Sequence, residues 1–392
     1  MSKYLVRFKP LDLFFFGGEN KYRPRKDRNK IKFEADYLLR SEKFPQQTTI
    51  LGALRYLILQ ENGQIPIQDE QKAKKLVGEH GFRINKNQKH VPNNYGLIEK
   101  LSPVYLQWEG NYYMPTPYLF VKDDNEKPQV LEVKYKENSK KSPNDDLLVY
   151  KNSLNENGLL VYENYDPKKG FVEKLSMIDK MDDTIDYDCV YAEVEKVGIK
   201  KNNEDGTPAD DEDAFYKMIA YKFKNKETAF VVEVDLNNSS DGETWKPDTT
   251  KKYFIPMGAE KSPFQVTFHE ISEEILKPRL PEEFNPPLPF ILLTSDTYVE
   301  ENPADFSVGS TKTFRFLETK VVQNGAYAKF KEHNQANGQD EINRSRRYNL
   351  LARGSVLFFV NDKNKNTGQS NIADKYEFTQ IGYNQFISIA KK

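Results

Sequence analysis

The sequence contains few of the residues that build disulfide, metal or membrane-spanning structures. Among its 392 residues are one cysteine and four histidines. The single Cys189 excludes a disulfide framework and a cysteine-based zinc site, and it fits a reducing compartment. The histidines lie far apart in the chain, so their spacing predicts no helical metal site. The N-terminus has no apolar signal core, and no apolar run approaches about 18 residues, which predicts a soluble cytoplasmic protein.

Net charge is also low, because 58 Lys and Arg residues balance 59 Asp and Glu residues to give −1. This balance argues against a uniformly basic surface for nucleic acid, but a local basic segment is compatible with it. Mean hydropathy is −0.78, yet 13% of the residues are aromatic. Aromatic side chains supply buried area that a disordered chain lacks. We therefore expect a folded protein with much polar surface, in two or three domains of about 150 residues each.

Alternation of apolar and polar residues predicts more strands than helices. Residues 4–8 alternate and predict a first strand, and Glu109-Gly110 between two apolar runs predicts a hairpin. Residues 121–158 are polar and rich in Asn and Pro, which predicts an insertion or loop. The few amphipathic helices favour an α+β fold over a doubly wound parallel sheet. Further strands are predicted at residues 190–194, 215–223, 229–234, 290–294, 354–360 and 381–389.

Residues 21–32 hold the highest density of positive charge. Seven of them are Lys or Arg, and only Asp27 interrupts the series. Three phenylalanines and two glycines at 14–18 precede this predicted loop, and a helix with a predicted N-cap at Thr48 or Thr49 follows it. Basic side chains release counterions from RNA, helix N-termini offer N–H groups to phosphate, and aromatic rings stack on unpaired bases. The segment therefore favours a nucleic-acid contact, with a solvated surface loop as the alternative.

Support for catalysis is weak. The sequence has no phosphate-binding loop, nucleophile elbow or zinc-protease motif. Its carboxylate pairs, at 145–146, 182–183 and 210–211, lie in polar turns that are typically solvated. His269 fits a structural strand residue, and neither His80 nor His90 has a convincing acid–base partner nearby. We predict no catalytic residue, no bound metal and no cofactor.

Several motifs together resemble one family. Leu11-Asp12-Leu13-Phe14-Phe15-Phe16-Gly17-Gly18, followed by Thr48-Thr49-Ile50-Leu51-Gly52-Ala53-Leu54-Arg55, is similar to the opening of a CRISPR protein of the RAMP superfamily. The similarity is to the type III-B (Cmr) effector-complex subunit that holds the 5′ handle of the crRNA. Later motifs follow in the family's order, although Ala259 replaces a glycine of one turn. They are Tyr113-Met114-Pro115-Thr116-Pro117, Val197-Gly198-Ile199, Met257-Gly258-Ala259-Glu260-Lys261, Gly354-Ser355-Val356-Leu357-Phe358-Phe359 and Ile381-Gly382-Tyr383.

The resemblance implies a non-catalytic subunit of an antiviral ribonucleoprotein complex. It implies two ferredoxin-like, RRM-related domains, at residues 1–180 with the insertion 121–158, and at residues 181–392. The implied partners are the crRNA 5′ handle, a large polymerase/cyclase-like subunit and backbone RAMP subunits. The alternatives are a metal-independent endoribonuclease that processes precursor crRNA with His80 or His90, and a purely structural bridge between subunits.

Within this hypothesis, basic side chains contact phosphates, Gly52 allows close approach of the backbone, and Arg55 fixes its helix against RNA or a loop. A surface salt bridge is the alternative for Arg55. The three phenylalanines at 14–16 are expected mainly in the core. The candidate RNA-binding residues are Arg23, Arg25, Lys26, Arg28, Lys32, Thr48, Thr49, Gly52, Arg55, Lys261, Arg346 and Arg347.

Overall fold

A computed structural model describes most of the chain. Helices and mostly antiparallel sheets make up the described part, as the α+β prediction requires. The described residues are 1–18, 22–27, 30–35, 38–84, 93–122, 128–130, 133–135, 148–150, 170–173, 184–199, 215–237, 239–240, 242–258, 260–278, 288–314 and 348–390.

The helices are few and short in comparison with the strands. They are α1 (Gln47–Glu61), α2 (Glu70–Val77), α3 (Tyr187–Val190), α4 (Asp362–Ala373) and α5 (Tyr376–Gln380). The strands are β1 (Ser2–Pro10), β2 (Tyr22–Asp27), β3 (Lys30–Ala35), β4 (Leu38–Arg40), β5 (Ile98–Leu101), β6 (Tyr105–Trp108), β7 (Asn111–Pro115), β8 (Phe120–Lys122), β9 (Pro128–Val130), β10 (Val133–Tyr135), β11 (Leu148–Tyr150), β12 (Phe171–Glu173), β13 (Tyr191–Ile199), β14 (Phe215–Phe223), β15 (Ala229–Leu236), β16 (Ser239–Ser240), β17 (Glu243–Thr244), β18 (Tyr253–Met257), β19 (Ser262–Ile271), β20 (Phe290–Leu293), β21 (Thr297–Tyr298), β22 (Phe306–Val308), β23 (Thr311–Phe314), β24 (Tyr348–Leu351), β25 (Val356–Phe358) and β26 (Phe386–Ile389).

The central sheet has eight strands in the order β12-β7-β6-β15-β1-β19-β18, with β5 also paired to β15. Strand β1 lies in its middle, so that Val6 is opposite Val232 on one side and Phe268 on the other. Five strands of this sheet precede residue 180 and three follow residue 181. The predicted domain boundary therefore runs across paired strands of one sheet.

Both faces of the central sheet are buried over much of its area. Along β1, Tyr4, Val6 and Phe8 point to the side on which α1 and α2 pack. Leu5 points to the opposite side, where it joins Phe290 of a four-stranded sheet with the order β22-β25-β20-β26. This alternation is what a strand buried on both faces requires.

The four-stranded sheet is itself covered on its outer face. In β20, Phe290 and Leu292 face the central sheet, whereas Ile291 and Leu293 pack with Ile372 of α4. The resulting order of layers is helix, sheet, sheet, helix, and β20 is buried along its whole length.

Two segments differ from their sequence predictions. The described residues of 121–158 form two short ladders, β8 with β9 and β10 with β11, rather than only a loop. Residues 381–389 become a strand only in β26, because Gly382 and Asn384 adopt positive φ angles of 88° and 54°. The described helices include none long and apolar enough to cross a membrane.

Candidate nucleic-acid interface

The basic segment is a β-hairpin rather than the predicted loop. Strands β2 and β3 pair antiparallel, with Arg25 opposite Lys32 and Arg23 opposite Glu34. Lys26 also lies on β2, whereas Arg28 lies outside the described residues. The antiparallel register thus brings four of the five predicted basic residues onto one two-stranded ribbon.

The hairpin is attached to the core at a narrow base. Gly17 and Ser41 form an isolated bridge, so the chain leaves and re-enters the core at neighbouring points. The amide of Phe16 donates a 2.9 Å hydrogen bond to Oγ of Ser41, and the amide of Glu42 donates one of 2.8 Å to the carbonyl of Phe16. Ser41 is buried, and so are all three phenylalanines at 14–16, as predicted for core residues.

Lys261 lies in a turn that packs against this base. It is exposed and has a φ of 50°, and its amide donates a 3.1 Å hydrogen bond to the carbonyl of Gly258. Gly258 has a φ of 73°, and a Cβ atom there would lie 2.6 Å from the carbonyl oxygen of Phe15. Glycine is required at this close approach, and it places the turn with Lys261 beside the start of the hairpin.

The N-terminus of α1 is covered by a distant turn. The helix begins at Gln47 with Gln46 as its N-cap, so the predicted cap at Thr48 or Thr49 is wrong. The side-chain amide of Gln47 donates to the carbonyl oxygens of Ser102 and Ile381, at 2.8 and 2.6 Å.

The covering turn packs closely on the first turn of the helix. Gly382 (φ 88°) leaves room for the Gln47 amide, because a Cβ atom there would lie 1.9 Å from Nε2. Burial raises the pKa of Tyr383, and hydrogen bonding to Thr48 opposes that effect. Thr48, Thr49 and Gly52 are half-buried. The first turn of α1 therefore packs against the C-terminal segment.

Arg55 is a core residue. It is 2% exposed, and its guanidinium donates hydrogen bonds to the carbonyls of Val77 (2.6 Å), Gly78 (3.3 Å) and His80 (2.8 Å). It also lies over the ring of Tyr95, 5.3 Å from the centroid. Arg55 therefore fixes its helix against the end of α2 and the segment that follows it, which is the loop alternative of its prediction. Its burial contradicts the surface salt bridge.

A second basic cluster of the sequence, Arg344, Arg346, Arg347 and Arg353, is divided by the structure. Arg346 and Arg347 lie outside the described residues. Arg353, from the same cluster, donates a 2.5 Å hydrogen bond to the carbonyl of Thr294 and another to the carbonyl of Val104. Burial lowers its pKa, and the guanidinium lies 5.5 Å from the centroid of Phe44. Arg353 thereby joins the two stacked sheets.

Sequence reasoning missed a polar cluster next to the hairpin. Strand β4 directly follows the hairpin and pairs parallel with β14, which pairs with β13. Arg40 donates a 2.8 Å hydrogen bond to Glu193, and Nζ of Lys43 lies 4.4 Å from the ring centroid of Tyr187. Partial burial lowers the pKa of Lys43, with repulsion from Arg40 acting in the same direction. Arg40 and Lys43 follow the predicted basic segment closely in the sequence. That closeness is the signal from which the sequence could have predicted the cluster.

Comparison with known proteins agrees with the motif order. Residues 6–390 match the profile of a family described as CRISPR-associated protein (Cas_Cmr3). Two solved structures align with 98% of this chain and 96% of theirs, both at 12% identity. One is a cryo-EM structure of the Type III-B Cmr-beta bound to cognate target RNA, with a TM-score of 0.43. The other is the same assembly bound to cognate target RNA and AMPPnP in state 1, with a TM-score of 0.47. No curated protein matches the sequence.

Proposed function

Because the chain belongs to the Cas_Cmr3 family of CRISPR-associated proteins, a type III-B Cmr subunit family, we propose that it binds the 5′ handle of the crRNA. In this role it is a non-catalytic, RNA-binding component of an antiviral ribonucleoprotein complex. Its protein partners are a large polymerase/cyclase-like subunit and backbone RAMP subunits. The proposal includes two ferredoxin-like domains, at residues 1–180 and 181–392.

The concentration of basic residues on the β2–β3 hairpin carries the proposal. The register places four of them on one two-stranded ribbon: Arg23, Arg25, Lys26 and Lys32. Basic residues along such a ribbon neutralise phosphates and release counterions when RNA binds. The exposed Lys261 lies beside the base of the same hairpin, so the candidate surface extends from the ribbon onto the β18–β19 turn.

The proposal is tested by replacing charges on the hairpin. The full-length protein is titrated into a fluorescein-labelled single-stranded RNA with the sequence of the CRISPR repeat from the same genome. The R23A/R25A double variant is expected to bind more weakly, with a salt slope lowered by about 0.7 for each phosphate that the variant no longer neutralises. Its matched control is K277A/K363A, which removes the same charge from two exposed lysines elsewhere. Equal affinity and equal salt slopes for both double variants contradict the proposal.

The absence of catalysis is tested separately. Purified protein is incubated with the same repeat RNA in EDTA, and the products are separated on a denaturing gel. Intact RNA is expected. Specific cleavage that disappears in H80A or H90A establishes the processing endoribonuclease instead.

A further inference from the structure

One end of the central sheet has an open face. The four-stranded sheet covers the face over β1, β15, β6, β7 and β12, where Leu5 and Val231 are buried. Beyond β1, the same face of β19 and β18 contributes no fully buried residue to that core among the described residues. The opposite face of these two strands is occupied, because Tyr253 and Phe264 belong to the main core.

Three rows of residues cross this open face. The register aligns Phe254 with Gln265 and Lys9, and Pro256 with Pro263. Leu11 continues the second row, since its amide donates a 3.0 Å hydrogen bond to the carbonyl of Pro263. Thr267 and Arg7 form the third row, next to Lys252. We call these residues the open platform: Arg7, Lys9, Leu11, Lys252, Phe254, Pro256, Pro263, Gln265 and Thr267.

The platform presents an aromatic ring to solvent. Phe254 is 54% exposed, although it is flanked in β18 by the buried Tyr253 and Ile255. Leu11, in the neighbouring row, is 50% exposed. Strand alternation forces residue 254 outward but does not require it to be aromatic, and a polar residue there would avoid exposing apolar surface.

The charges around the ring are mainly positive. Lys9 forms a 2.9 Å ion pair with Glu227, and Arg7 donates a 3.2 Å hydrogen bond to the carbonyl of Glu227. Lys9, Arg7 and Lys252 all act on this carboxylate and lower its pKa, in that order. Three cations and one anion give this group a net positive charge. A positively charged surface complements a polyanion better than an acidic or neutral surface would.

The outer edge of β18 is poorly suited to adding a strand from a protein partner. Pro256 is opposite Pro263, and neither has an N–H group, so this is a non-hydrogen-bonded pair. The backbone groups of Phe254 and Pro256 therefore point to the free edge, and Phe254 supplies the one outward N–H of β18. Proline at an edge position is a device that prevents strand addition.

We propose that the open platform binds a single-stranded segment of RNA, with an unpaired base stacked on Phe254 and its phosphates near Lys9 and Lys252. Open sheet faces with exposed aromatic side chains bind unpaired bases in this way. Gln265 and Thr267, both half-buried, supply an amide and a hydroxyl within the adjoining rows. The turn with Lys261 connects β18 to β19, so the platform continues the surface at the hairpin base. This inference rests on the proposed RNA-binding function and assigns part of the RNA to a second surface.

The test uses the same labelled repeat RNA and the full-length protein. F254L removes the aromatic face but keeps an apolar side chain, and it is expected to weaken binding about ten-fold. F254Y retains the ring and is expected to bind like the wild type. Y376L is the matched control, because Tyr376 is an exposed aromatic residue on α5, 44% exposed. F254L should leave the salt slope unchanged, whereas K252A should lower it by about 0.7.

The outcomes separate this inference from the proposed function. Loss of affinity in F254L, recovery in F254Y and no change in Y376L support the platform. Unchanged affinity in F254L together with weaker binding by R23A/R25A overturns the platform and leaves the proposed function standing. Unchanged RNA affinity in F254L with loss of co-purification with other subunits also overturns it, in favour of a protein-docking face. Weaker binding by F254L with an unaffected R23A/R25A supports the platform and contradicts the role of the hairpin.

Discussion

The Nε–H of Arg55 in α1 donates a 2.6 Å hydrogen bond to the carbonyl oxygen of Val77, the last residue of α2. One buried guanidinium therefore satisfies backbone groups at the end of a second helix. Arg55 lies on the same helical face as Leu51 and Ile58, four residues after one and three before the other.

Replacement of Arg55 by methionine should destabilise the fold. The methionine fills much of the apolar volume but leaves the carbonyls of Val77, Gly78 and His80 without these donors, so we expect a loss of about 3 kcal/mol or more. Urea unfolding measures the change. The control is R40A, which removes an exposed ion pair with Glu193 and should cost about 1 kcal/mol or less. Equal effects of the two substitutions are inconsistent with the buried role of Arg55.

A second prediction concerns the turn that covers α1. Gly382 and Gly110 have nearly equal φ angles, 88° and 86°, but only Gly382 lies against other atoms. G110A should cost about 1 kcal/mol from backbone strain alone. G382A should cost about 1–3 kcal/mol more, because Gln47 and Ser102 must move. Thermal unfolding of G110A and G382A measures the two losses, and their difference is the cost of crowding at Gly382. Equal melting temperatures for the two variants would contradict the close packing described for Gly382.

Glu233 provides a prediction for pH. It is buried in β15, where its carboxylate accepts hydrogen bonds from the amides of Ile275 and Leu276. Burial raises its pKa above the ordinary value, and those hydrogen bonds oppose the shift. The folded state therefore takes up a proton more readily than the unfolded state. Stability from this group is present below the unfolded pKa and is lost as pH rises through the folded pKa.

The comparison of E233Q with wild type isolates this effect. The free energy of unfolding of wild type, relative to E233Q, should fall as pH rises from the ordinary carboxyl pKa to the raised one. E227Q is the control with the opposite sign, because the ion pair with Lys9 lowers the pKa of Glu227. Urea titrations at a series of pH values give both differences. If the free energy of unfolding of wild type relative to E233Q rises with pH, the raised pKa of Glu233 is contradicted.

The base of the hairpin gives a fourth prediction. S41A removes the acceptor of the buried Phe16 amide and should cost about 1–2 kcal/mol. It should also speed hydrogen exchange at that amide. Ser370 donates only to the carbonyl of Asn366 on the exposed side of α4, so S370A should change neither quantity. Unaltered exchange at Phe16 in S41A shows that the base is held by other contacts.

Local patterns in the sequence predict individual strands well. The alternation in β1, the apolar runs of β14 and β15 and the turn at Glu109-Gly110 are all confirmed. Period-two burial and turn chemistry are properties of a few neighbouring residues, so a single sequence displays them.

Contacts between distant motifs were not predictable in that way. Gly258 contacts Phe15, and Gly382 contacts Gln47. The carbonyl oxygen of Gly354 accepts a 2.9 Å hydrogen bond from the amide of Tyr118. Each contact joins segments more than 200 residues apart, and no local period encodes which segments meet. The burial of Arg55, by contrast, had a local signal in its position on the apolar stripe of α1. For this residue the position on the stripe predicts burial, whereas its charge alone predicts exposure.

The position of β1 has a consequence for synthesis of the chain. Its neighbours β15 and β19 lie at residues 229–236 and 262–271. During translation, more than half of the polypeptide is therefore synthesised before either hydrogen-bonding partner of the first strand leaves the ribosome. Its alternating apolar residues remain unpaired during that time, a state that favours aggregation or capture by chaperones. Nascent chains that end before residue 229 should remain protease-sensitive at their N-terminus, however long the ribosome pauses.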